Sequence, residues 1–422
     1  MPSARDWALT LLLRGQKADL FPDRMLWELY EKHPDIPSLD RAFIQQLLFG
    51  VYRWRAKIDW ALEKCAHAPL KKLSFQTLSI LRLGAFQLLL LDRVPASAAV
   101  NESVKLAKSG PEPWTGGLIN GTLRALSRIQ ESLAFPTPDD LPGYLTITQS
   151  HPAWLANYWL DTLGPKETVS LCEADNQIPP LDLRVNTLKG SREELYPRLE
   201  REVGPMSPTP FSPVGLRFLR PQAPLHASGP YREGLYQIQD EASQLIAYLL
   251  HPRPGERVLD LCAGVGGKTT HLAQFLENRG SVLAVDSNPR KVRDLWKNAL
   301  RLGIKNIRFR TGDFLQPDFF QKNQPAFDRI LVDAPCSGWG VIRRHPDLKW
   351  RIRLEDSDRL AEQQIKFLQK AAEYLKPKGT LVYSTCTLCP IENEEVIGGS
   401  WPGTPNSSWI RWPLICRDRQ GG

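Results

Sequence analysis

From about residue 237 onward the chain alternates short apolar segments with amphipathic helices, and this rhythm restricts the fold more than any other feature. "RVLDLCA" precedes the helix-forming "KTTHLAQFLEN", and "SVLAVDSN" precedes "PRKVRDLWKNALRLG". The later apolar segments are "IRFRTGDF", "FDRILVDAP" and "TLVYSTCT". Apolar strands that alternate with helices form a parallel sheet with helices on both faces. The sequence therefore predicts an α/β domain over residues 236–397.

Two further domains are predicted upstream. Residues 1–134 carry apolar side chains at helical spacing, for example in "RAFIQQLLFGVYRWRAKIDWALEKC", and predict an all-α domain. The Pro- and Asp-rich "FPTPDDLPG" predicts a linker over residues 135–149. Residues 150–235 include "PPLDLRVNTLKGSREELYPRLE", which has the pattern of a strand, a turn and a helix, and predict a small α+β domain. A multi-domain chain agrees with the length of 422 residues.

Positive charge is concentrated in the first third. Residues 1–130 contain 18 Lys and Arg against 12 Asp and Glu, which accounts for +6 of the net charge of +8. A basic domain favours a polyanionic partner, RNA or DNA, although an ordinary solvated helical surface explains the same count. The N-terminal apolar stretch is too short for a signal peptide, and no apolar run reaches the roughly 18 residues of a membrane helix. We expect no membrane association and a cytoplasmic location.

Seven cysteines are scattered along the chain, at positions 65, 172, 262, 336, 386, 389 and 416. An odd and dispersed set in a large chain argues against a disulfide framework and favours a reducing compartment. The seven histidines are dispersed as well, and no group of Cys and His has the spacing of a metal site.

A Gly-rich turn, "DLCAGVGGKTT" at residues 260–270, lies between a predicted strand and a predicted helix. A P-loop needs a glycine where Cys262 stands, and a dinucleotide fingerprint needs one at the position of Thr269. S-adenosylmethionine needs only the turn and an acid for its ribose, and Asp286 ends the next strand about 20 residues on. "GDF" at 312–314 supports this interpretation, and a turn without any ligand is the alternative.

Two predicted strands each deliver a cysteine at their C-terminal ends, in "LVDAPCSGWG" and "TLVYSTCT". Ligands of open α/β sheets bind outside these ends. C5 of a pyrimidine is a poor nucleophile, but a thiolate that adds to C6 converts the ring to an enamine, whose C5 attacks a methyl sulfonium. This chemistry needs a nucleophilic cysteine, an acid near the ring and a group that assists release, and the sequence offers Cys386, Asp333 and Cys336.

Each cysteine also has a simpler explanation. Cys386 and Cys389 form a C-x-x-C pair of the redox type, although no thioredoxin-like context surrounds them. Cys336 on its own is equally explained as a buried packing residue. Because a free thiol with a pKa of about 8.5 is mostly protonated at neutral pH, we predict Lys268 as the group that lowers the pKa of the nucleophile.

With these residues assembled, residues 1–397 resemble the bacterial ribosomal RNA cytosine-C5 methyltransferases of the Sun/Fmu type. "DRAFIQQLLFGVYRWRAKID" and "GLINGTLRAL" resemble the NusB-like RNA-binding domain of that family, "PPLDLRVNTLK" its small RRM-like middle domain, and "GLYQIQDEASQL" the start of its Rossmann-like class I methyltransferase domain. The resemblance implies Cys386 as nucleophile and Cys336 as the thiol that aids product release. It implies S-adenosylmethionine as cofactor, bound by Cys262, Ala263, Gly264, Val265, Gly266, Gly267, Lys268, Asp286, Asp313 and Asp333.

The resemblance also implies a partner, which is 16S ribosomal RNA, either unassembled or in an early small subunit. We expect the protein to be a monomer. "RRHPDLKWR", residues 343–351, resembles the basic loop that the family places near the RNA, and an ordinary solvated loop is the alternative.

Two departures from the family pattern bear on activity. Gly264 and Val265 stand where the family has Ala-Pro, so we expect a less preorganised turn. Residues 398–422 lack periodicity and do not match the family's last segments, so we expect the strand before Cys386 to become a sheet edge, an aggregation liability. The alternative to an enzyme is therefore an RNA-binding protein with an inactive methyltransferase domain. A third hypothesis, an ATP-dependent P-loop protein, is opposed by Cys262.

Overall fold

The contacts of the chain divide it into two compact units. One comprises the chain up to Pro179 together with Gly340–Ile352, and the other comprises Pro180–Trp339 and the described residues from Arg353 onward. No helix in the described part of the chain is long and apolar enough to span a bilayer. The structure, a computed structural model, describes residues 2–17, 21–66, 68–219, 225–317, 319–320 and 326–400.

Most of the atypical tail, predicted over residues 398–422, lies outside the described residues, as does Cys416.

The first unit is helical, in agreement with the spacing of its apolar residues. Its central helix α5 packs against α1, α3, α4, α6 and α7, and residues Ser79 to Gln87 of α5 are all buried. The hydroxyl of Ser74 caps this helix by accepting from the N–H of Thr77. The helices are α1 (Ala4–Lys17), α2 (Pro22–Lys32), α3 (Ser38–Arg53), α4 (Arg55–Glu63), α5 (Phe75–Leu90), α6 (Ala96–Ser109), α7 (Gly116–Ile129), α8 (Leu141–Gly143), α9 (Ala153–Leu163) and α10 (Pro165–Asn176).

The segment predicted as a linker, residues 135–149, is a packed part of this unit. It contains α8 and a further helical turn at Tyr144–Thr148, which packs against α4. Leu145 in that turn is fully buried. Together with α9 and α10, the segment extends the helical unit to Pro179, beyond the boundary predicted at residue 134.

Residues 340–352 contain the predicted basic loop and belong to the helical unit by their contacts. They form a short 3-10 helix, Pro346–Trp350. Within it Lys349 is fully buried and donates to the side-chain oxygen of Asn176 at 2.8 Å and to the carbonyl of Ser150 at 3.3 Å. The segment is therefore not a solvated loop, because its central lysine makes internal contacts.

The smaller sheet of the second unit is antiparallel, with the strand order β2–β3–β1–β4. Leu199 and Val203 of the helix α11 are buried in one cluster with Leu183 and Leu216 of the sheet. A capping box of Ser191 and Glu194 begins that helix. The elements are β1 (Asp182–Val185), α11 (Arg192–Val203), β2 (Met206–Pro208), β3 (Gly215–Phe218), α12 (Gly229–Arg232) and β4 (Tyr236–Ile238).

The larger sheet is parallel, with the strand order β7–β6–β5–β8–β9. Ile330 and Val332 of β8 belong to a buried cluster that includes α16, whereas Leu331 belongs to another that includes α14 and α15, so helices cover both faces. The elements are α13 (Glu241–Leu250), β5 (Arg257–Leu261), α14 (Gly267–Phe275), β6 (Ser281–Asp286), α15 (Pro289–Leu302), β7 (Ile307–Thr311), β8 (Phe327–Asp333), α16 (Leu354–Ala372), β9 (Leu375–Ser384) and α17 (Glu394–Ser400).

The last strand of the sheet is irregular near its start. "KPKG" at 376–379 belongs to β9, at an irregularity in the pairing with β8, and α16 ends before it at Ala372. Lys378 there has φ +64°, which lets the backbone bulge and then resume pairing. Within the described residues β9 is an outer strand of the sheet, as expected.

Candidate active site

The predicted site residues lie along one edge of the parallel sheet. Asp286 at the end of β6 pairs with Thr311 at the end of β7, and Asp333 at the end of β8 pairs with Ser384 at the end of β9. Neighbouring parallel strands that end in register bring the residues that follow them to the same edge. That edge carries the glycine turn after β5, Asp286, Asp313, Asp333, Cys336 and Cys386.

Two of the three glycines in the turn serve different purposes. Gly264 has φ +58° and Gly266 has φ +87°, both in the left-handed region. A Cβ on Gly266 would lie 1.7 Å from Cδ1 of Leu295, whereas a Cβ on Gly264 would meet no atom closer than 3.9 Å. Gly264 therefore supplies conformational freedom, and Gly266 supplies the space in which α15 packs against the turn.

Asp286 closes the turn from the neighbouring strand. Its Oδ2 accepts the N–H of Gly264 at 2.8 Å, and its Oδ1 accepts the N–H of Asn288 at 2.8 Å. Each carboxylate oxygen keeps a lone pair for a further donor. The hydrogen bond to Gly264 also restrains the position where the family has Ala-Pro, so this turn has a constraint of another kind.

Two other predicted cofactor residues lie at the surface of this edge. Asp313 is exposed, and its carboxylate accepts the N–H of Leu315 at 3.0 Å and the side-chain amide of Gln316 at 3.3 Å. Val265 is 55% exposed at the outside of the glycine turn. Ala263 is held by its N–H, which donates to the carbonyl of Val285 on β6 at 2.8 Å.

A charged group and a hydroxyl hold the carboxylate of Asp333. Lys268 Nζ in the first turn of α14 donates to Oδ2 at 2.7 Å, and the Ser384 hydroxyl donates to Oδ1 at 2.8 Å. The ammonium of Lys268 is therefore paired with the carboxylate of Asp333, whereas we predicted that it would lower the pKa of a thiol. Ser384 was not predicted, and its place opposite Asp333 in the strand register is the signal that would have found it.

The two thiols are in direct contact. The sulfurs of Cys336 and Cys386 lie 3.2 Å apart as free thiols, and the N–H of Cys386 donates to Cys336 Sγ at 3.2 Å. The hydrogen bond with Cys386, together with burial, raises the pKa of Cys336. Because Cys386 is exposed while Cys336 is more enclosed, the pair combines a reachable thiol with a second thiol that holds its proton. Cys389, the other half of the C-x-x-C pattern, is fully buried.

A buried carboxyl on β5 was missed by the sequence reasoning. Asp260 is fully buried and accepts the hydroxyl of Thr269 at 2.6 Å, while its Oδ1 has no hydrogen-bond partner. Burial raises the pKa of Asp260 to about 7, with the negative charges of Asp333 and Asp286 acting in the same direction. The available signal was its position near the end of β5, shortly before Gly264.

A buried guanidinium on the antiparallel sheet fixes the start of α14. Arg184 on β1 is fully buried and donates to the carbonyl of Gly267 at 2.7 Å and to the hydroxyl of Thr270 at 2.9 Å. These two bonds tie β1 to the first turn of α14. No local pattern in "LRVN" indicates this role, because both partners lie more than 80 residues away.

Three family models match successive parts of the chain. The NusB family matches residues 2–128, the ferredoxin-like domain of the RsmF/B-like methyltransferases matches residues 151–224, and the 16S rRNA methyltransferase RsmB/F family matches residues 247–407. Among curated relatives, the probable ribosomal RNA small subunit methyltransferase B of Synechocystis sp. is 37% identical over 397 residues, which is 94% of this chain and 88% of the relative. The chain belongs to the ribosomal RNA small subunit methyltransferase B family.

Further comparisons agree with membership in the methyltransferase B family. The enzyme named ribosomal RNA small subunit methyltransferase B in Klebsiella pneumoniae (strain 342) is 39% identical over 373 residues, covering 88% of this chain and 84% of that protein. The crystal structure of PH0851 superposes with a TM-score of 0.78 at 26% identity, covering 94% of this chain and 89% of that one. The predicted family and the predicted fold class, all-α, then ferredoxin-like α+β, then α/β, are confirmed.

The methyltransferase B family implies S-adenosylmethionine as the cofactor, and the residues of this chain fit it. Gly264 faces open space at the turn, and Asp286 keeps lone pairs for ribose hydroxyls. The unpartnered Oδ1 of Asp260 is a buried acceptor beside the turn. Among the described residues, no three His, Cys, Asp or Glu side chains form a group that would hold a metal ion.

Proposed function

We propose that this protein transfers a methyl group from S-adenosylmethionine to C5 of a cytosine in 16S ribosomal RNA, through a covalent bond between Cys386 and C6. One observation carries the proposal: the thiols of Cys336 and Cys386 lie 3.2 Å apart on the sheet edge that also bears Asp333 and the cofactor turn. The relatives named for the small ribosomal subunit support the choice of RNA.

Covalent addition is the first task of the residues. The thiolate of Cys386, which is exposed, adds to C6 of a base that has been flipped out of its stack. The carboxylate of Asp333 accepts a hydrogen bond from the exocyclic amine of cytosine, while Lys268 and Ser384 hold that carboxylate in place. When bound, S-adenosylmethionine would supply the electrophilic methyl group for C5, and S-adenosylhomocysteine would be the product left behind.

Release of the methylated base is assigned to Cys336. The C5–H bond breaks and its electron pair closes the C5–C6 double bond, while the pair of the C6–S bond returns to the sulfur of Cys386. Cys336 gives its proton to that departing sulfur and takes up the proton from C5, so each thiol ends with one proton. Its contact of 3.2 Å with Cys386 and its raised pKa, which keeps it protonated beforehand, support this role.

RNA capture is assigned mainly to the helical unit. Residues 1–130 hold +6 of the net charge, and two tryptophans are exposed there, Trp27 at 58% and Trp114 at 75%. Lysines and arginines neutralise phosphates and exposed aromatic rings stack on unpaired bases. We place the reaction in the cytoplasm and with a monomeric enzyme.

Transfer of tritiated methyl groups to unmethylated 16S ribosomal RNA tests the proposal, with Cys386→Ala and Cys336→Ala measured beside the parent chain. We expect label on C5 of cytosine for the parent, no label for Cys386→Ala, and an RNA–protein adduct that survives denaturing electrophoresis for Cys336→Ala. Folded protein that binds the RNA but transfers no label would contradict the proposal and leave an RNA-binding protein with an inactive methyltransferase domain.

A further inference from the structure

The two loops that carry the thiols are joined to each other by the residues that directly follow the cysteines. Ser337 follows Cys336 and Thr387 follows Cys386, and their hydroxyl oxygens lie 2.7 Å apart. Both residues are buried, with 7% and 6% of their surface exposed. The distance between the two sulfurs is therefore set partly by this hydroxyl bridge.

A single buried carboxylate lies behind the Cys336 loop. Glu392 is fully buried, and its Oε2 accepts the N–H of Ser337 at 3.0 Å and the side-chain amide of Gln364 at 3.0 Å. The same amide nitrogen donates to the carbonyl of Pro335 at 2.9 Å. Glu392 thus fixes the backbone on both sides of Cys336, directly after it and, through Gln364, directly before it.

The Cys386 loop has a different set of partners, which do not involve the Glu392 carboxylate. Asn393 donates to the carbonyl of Thr387 at 3.1 Å and accepts the hydroxyl of Thr385 at 2.6 Å. Removing the Glu392 side chain would therefore release the Cys336 loop and leave the contacts of Asn393 with the Cys386 loop in place.

A polar side chain that is fully buried is costly unless its contacts are satisfied. The contacts of Oε2 of Glu392 are directed to the groups on either side of Cys336, whereas Oε1 has no hydrogen-bond partner among the described residues. The support of the Cys336 loop therefore accounts for an acceptor oxygen at this buried position.

We propose that Glu392 is the positioning residue that holds Cys336 against Cys386, and that it thereby controls release of the methylated RNA. The proposal rests on the proposed function, because it concerns the step in which the C6–S bond breaks. Addition depends on Cys386, Asp333 and the cofactor, and none of these is held by the Glu392 carboxylate. Loss of the positioning contact should therefore slow release and spare addition.

Two conservative variants separate the effect of side-chain length at position 392 from the effect of its charge. Glu392→Asp keeps the charge but shortens the side chain, so its oxygens no longer reach the N–H of Ser337. Glu392→Gln loses the charge but keeps an acceptor oxygen at the same distance. We expect Glu392→Asp to accumulate the denaturation-resistant RNA–protein adduct. Its turnover should be at least about tenfold slower, because the proton-transfer group is displaced. We expect Glu392→Gln to behave like the parent.

Glu395→Asp is the matched control, since Glu395 is exposed three residues further on, and it should release RNA like the parent. Adduct accumulation in Glu392→Gln with normal release in Glu392→Asp would show that charge matters and would overturn the proposal. Normal release in both variants, or a folded Glu392→Asp that no longer forms adduct, would overturn it as well. Absence of label in the parent and of adduct in Cys336→Ala would instead defeat the proposed function itself.

Discussion

Asp260 shows how one buried carboxyl links the stability of the site to pH. Its side chain is fully buried, accepts a single hydroxyl from Thr269 and keeps one oxygen unpartnered. Burial raises its pKa to about 7, whereas in the unfolded chain the group titrates near 4. Between those values the folded protein binds more protons than the unfolded one, so the stability contributed by the protonated group falls as pH rises from about 4 to about 7.

Asp260→Asn should remove this dependence, because an amide does not ionise and still accepts from Thr269. We expect the melting temperature of the variant, relative to the parent, to increase between pH 5 and pH 7 and to change little above pH 8. Thermal melts across this range provide the measurement, with Asp294→Asn, at an exposed site on α15, as control. A difference that stays constant from pH 5 to pH 8 would show that Asp260 does not titrate in this window.

At the scale of elements, the junction of β5 and α14 depends on the helix that packs against it. Gly266 meets Leu295 of α15 so closely that an added methyl group has no space, whereas Gly264 faces open space. The two glycines share a left-handed backbone, so they differ mainly in packing. The pair therefore separates the cost of conformation from the cost of crowding.

Gly264→Ala should destabilise the protein by about 1–2 kcal/mol, the cost of a left-handed alanine. Gly266→Ala should cost more and should weaken cofactor binding more strongly, because Leu295 or the turn must also move. Isothermal titration with S-adenosylmethionine and thermal melts measure both effects. Adding Leu295→Ala to Gly266→Ala should recover part of the binding, since the shortened side chain no longer occupies the space of the new methyl group. Equal losses in the two single variants would count against the crowding argument.

Much of the sheet could be predicted, because apolar runs such as "RVLDL" and "RILVD" bury both faces and permit few other structures. The common edge of the sheet followed from the parallel direction of the predicted strands, and it brought Asp286, Asp333 and the two thiols together. Glu392 and Arg184 could not be predicted in the same way. Their partners are distant in sequence, and a buried charge has the same local pattern as an exposed one until the chain has folded.

At the scale of the whole molecule, the helical unit encloses a charge that comes from far along the chain. Lys349 is fully buried, and burial lowers its pKa while the nearby Asp175 opposes that shift. Asp175 is buried as well, and burial raises its pKa. His151 packs beside it, with Nε2 at 3.6 Å from the carboxylate. The buried charges of Lys349 and Asp175 are each stabilised by the opposite charge of the other residue.

Lys349→Met should destabilise the helical unit by up to about 3–5 kcal/mol, because it removes the largest of the positive charges that offset the burial of Asp175. The loss should be smaller at pH 6 than at pH 8, since Asp175 with its raised pKa takes up a proton at the lower pH. Lys349→Met combined with Asp175→Asn should lose less than Lys349→Met alone. Hydrogen exchange in α10 measures the effect on this unit, and Lys366→Met, at an exposed position of α16, is the control. Additive losses in the double variant would exclude the coupling.

The order in which this chain is made follows from the membership of residues 340–352 in the helical unit. During synthesis the helices up to Pro179 leave the ribosome first, and 160 further residues must be added before Gly340 appears. At about 5–20 residues per second, roughly 8–30 seconds pass before the segment that contains Lys349, the buried lysine of the first unit, begins to be synthesised. Asp175 and its neighbours stay accessible to water during that time. The helical unit can therefore be completed only after most of the catalytic sheet has been synthesised.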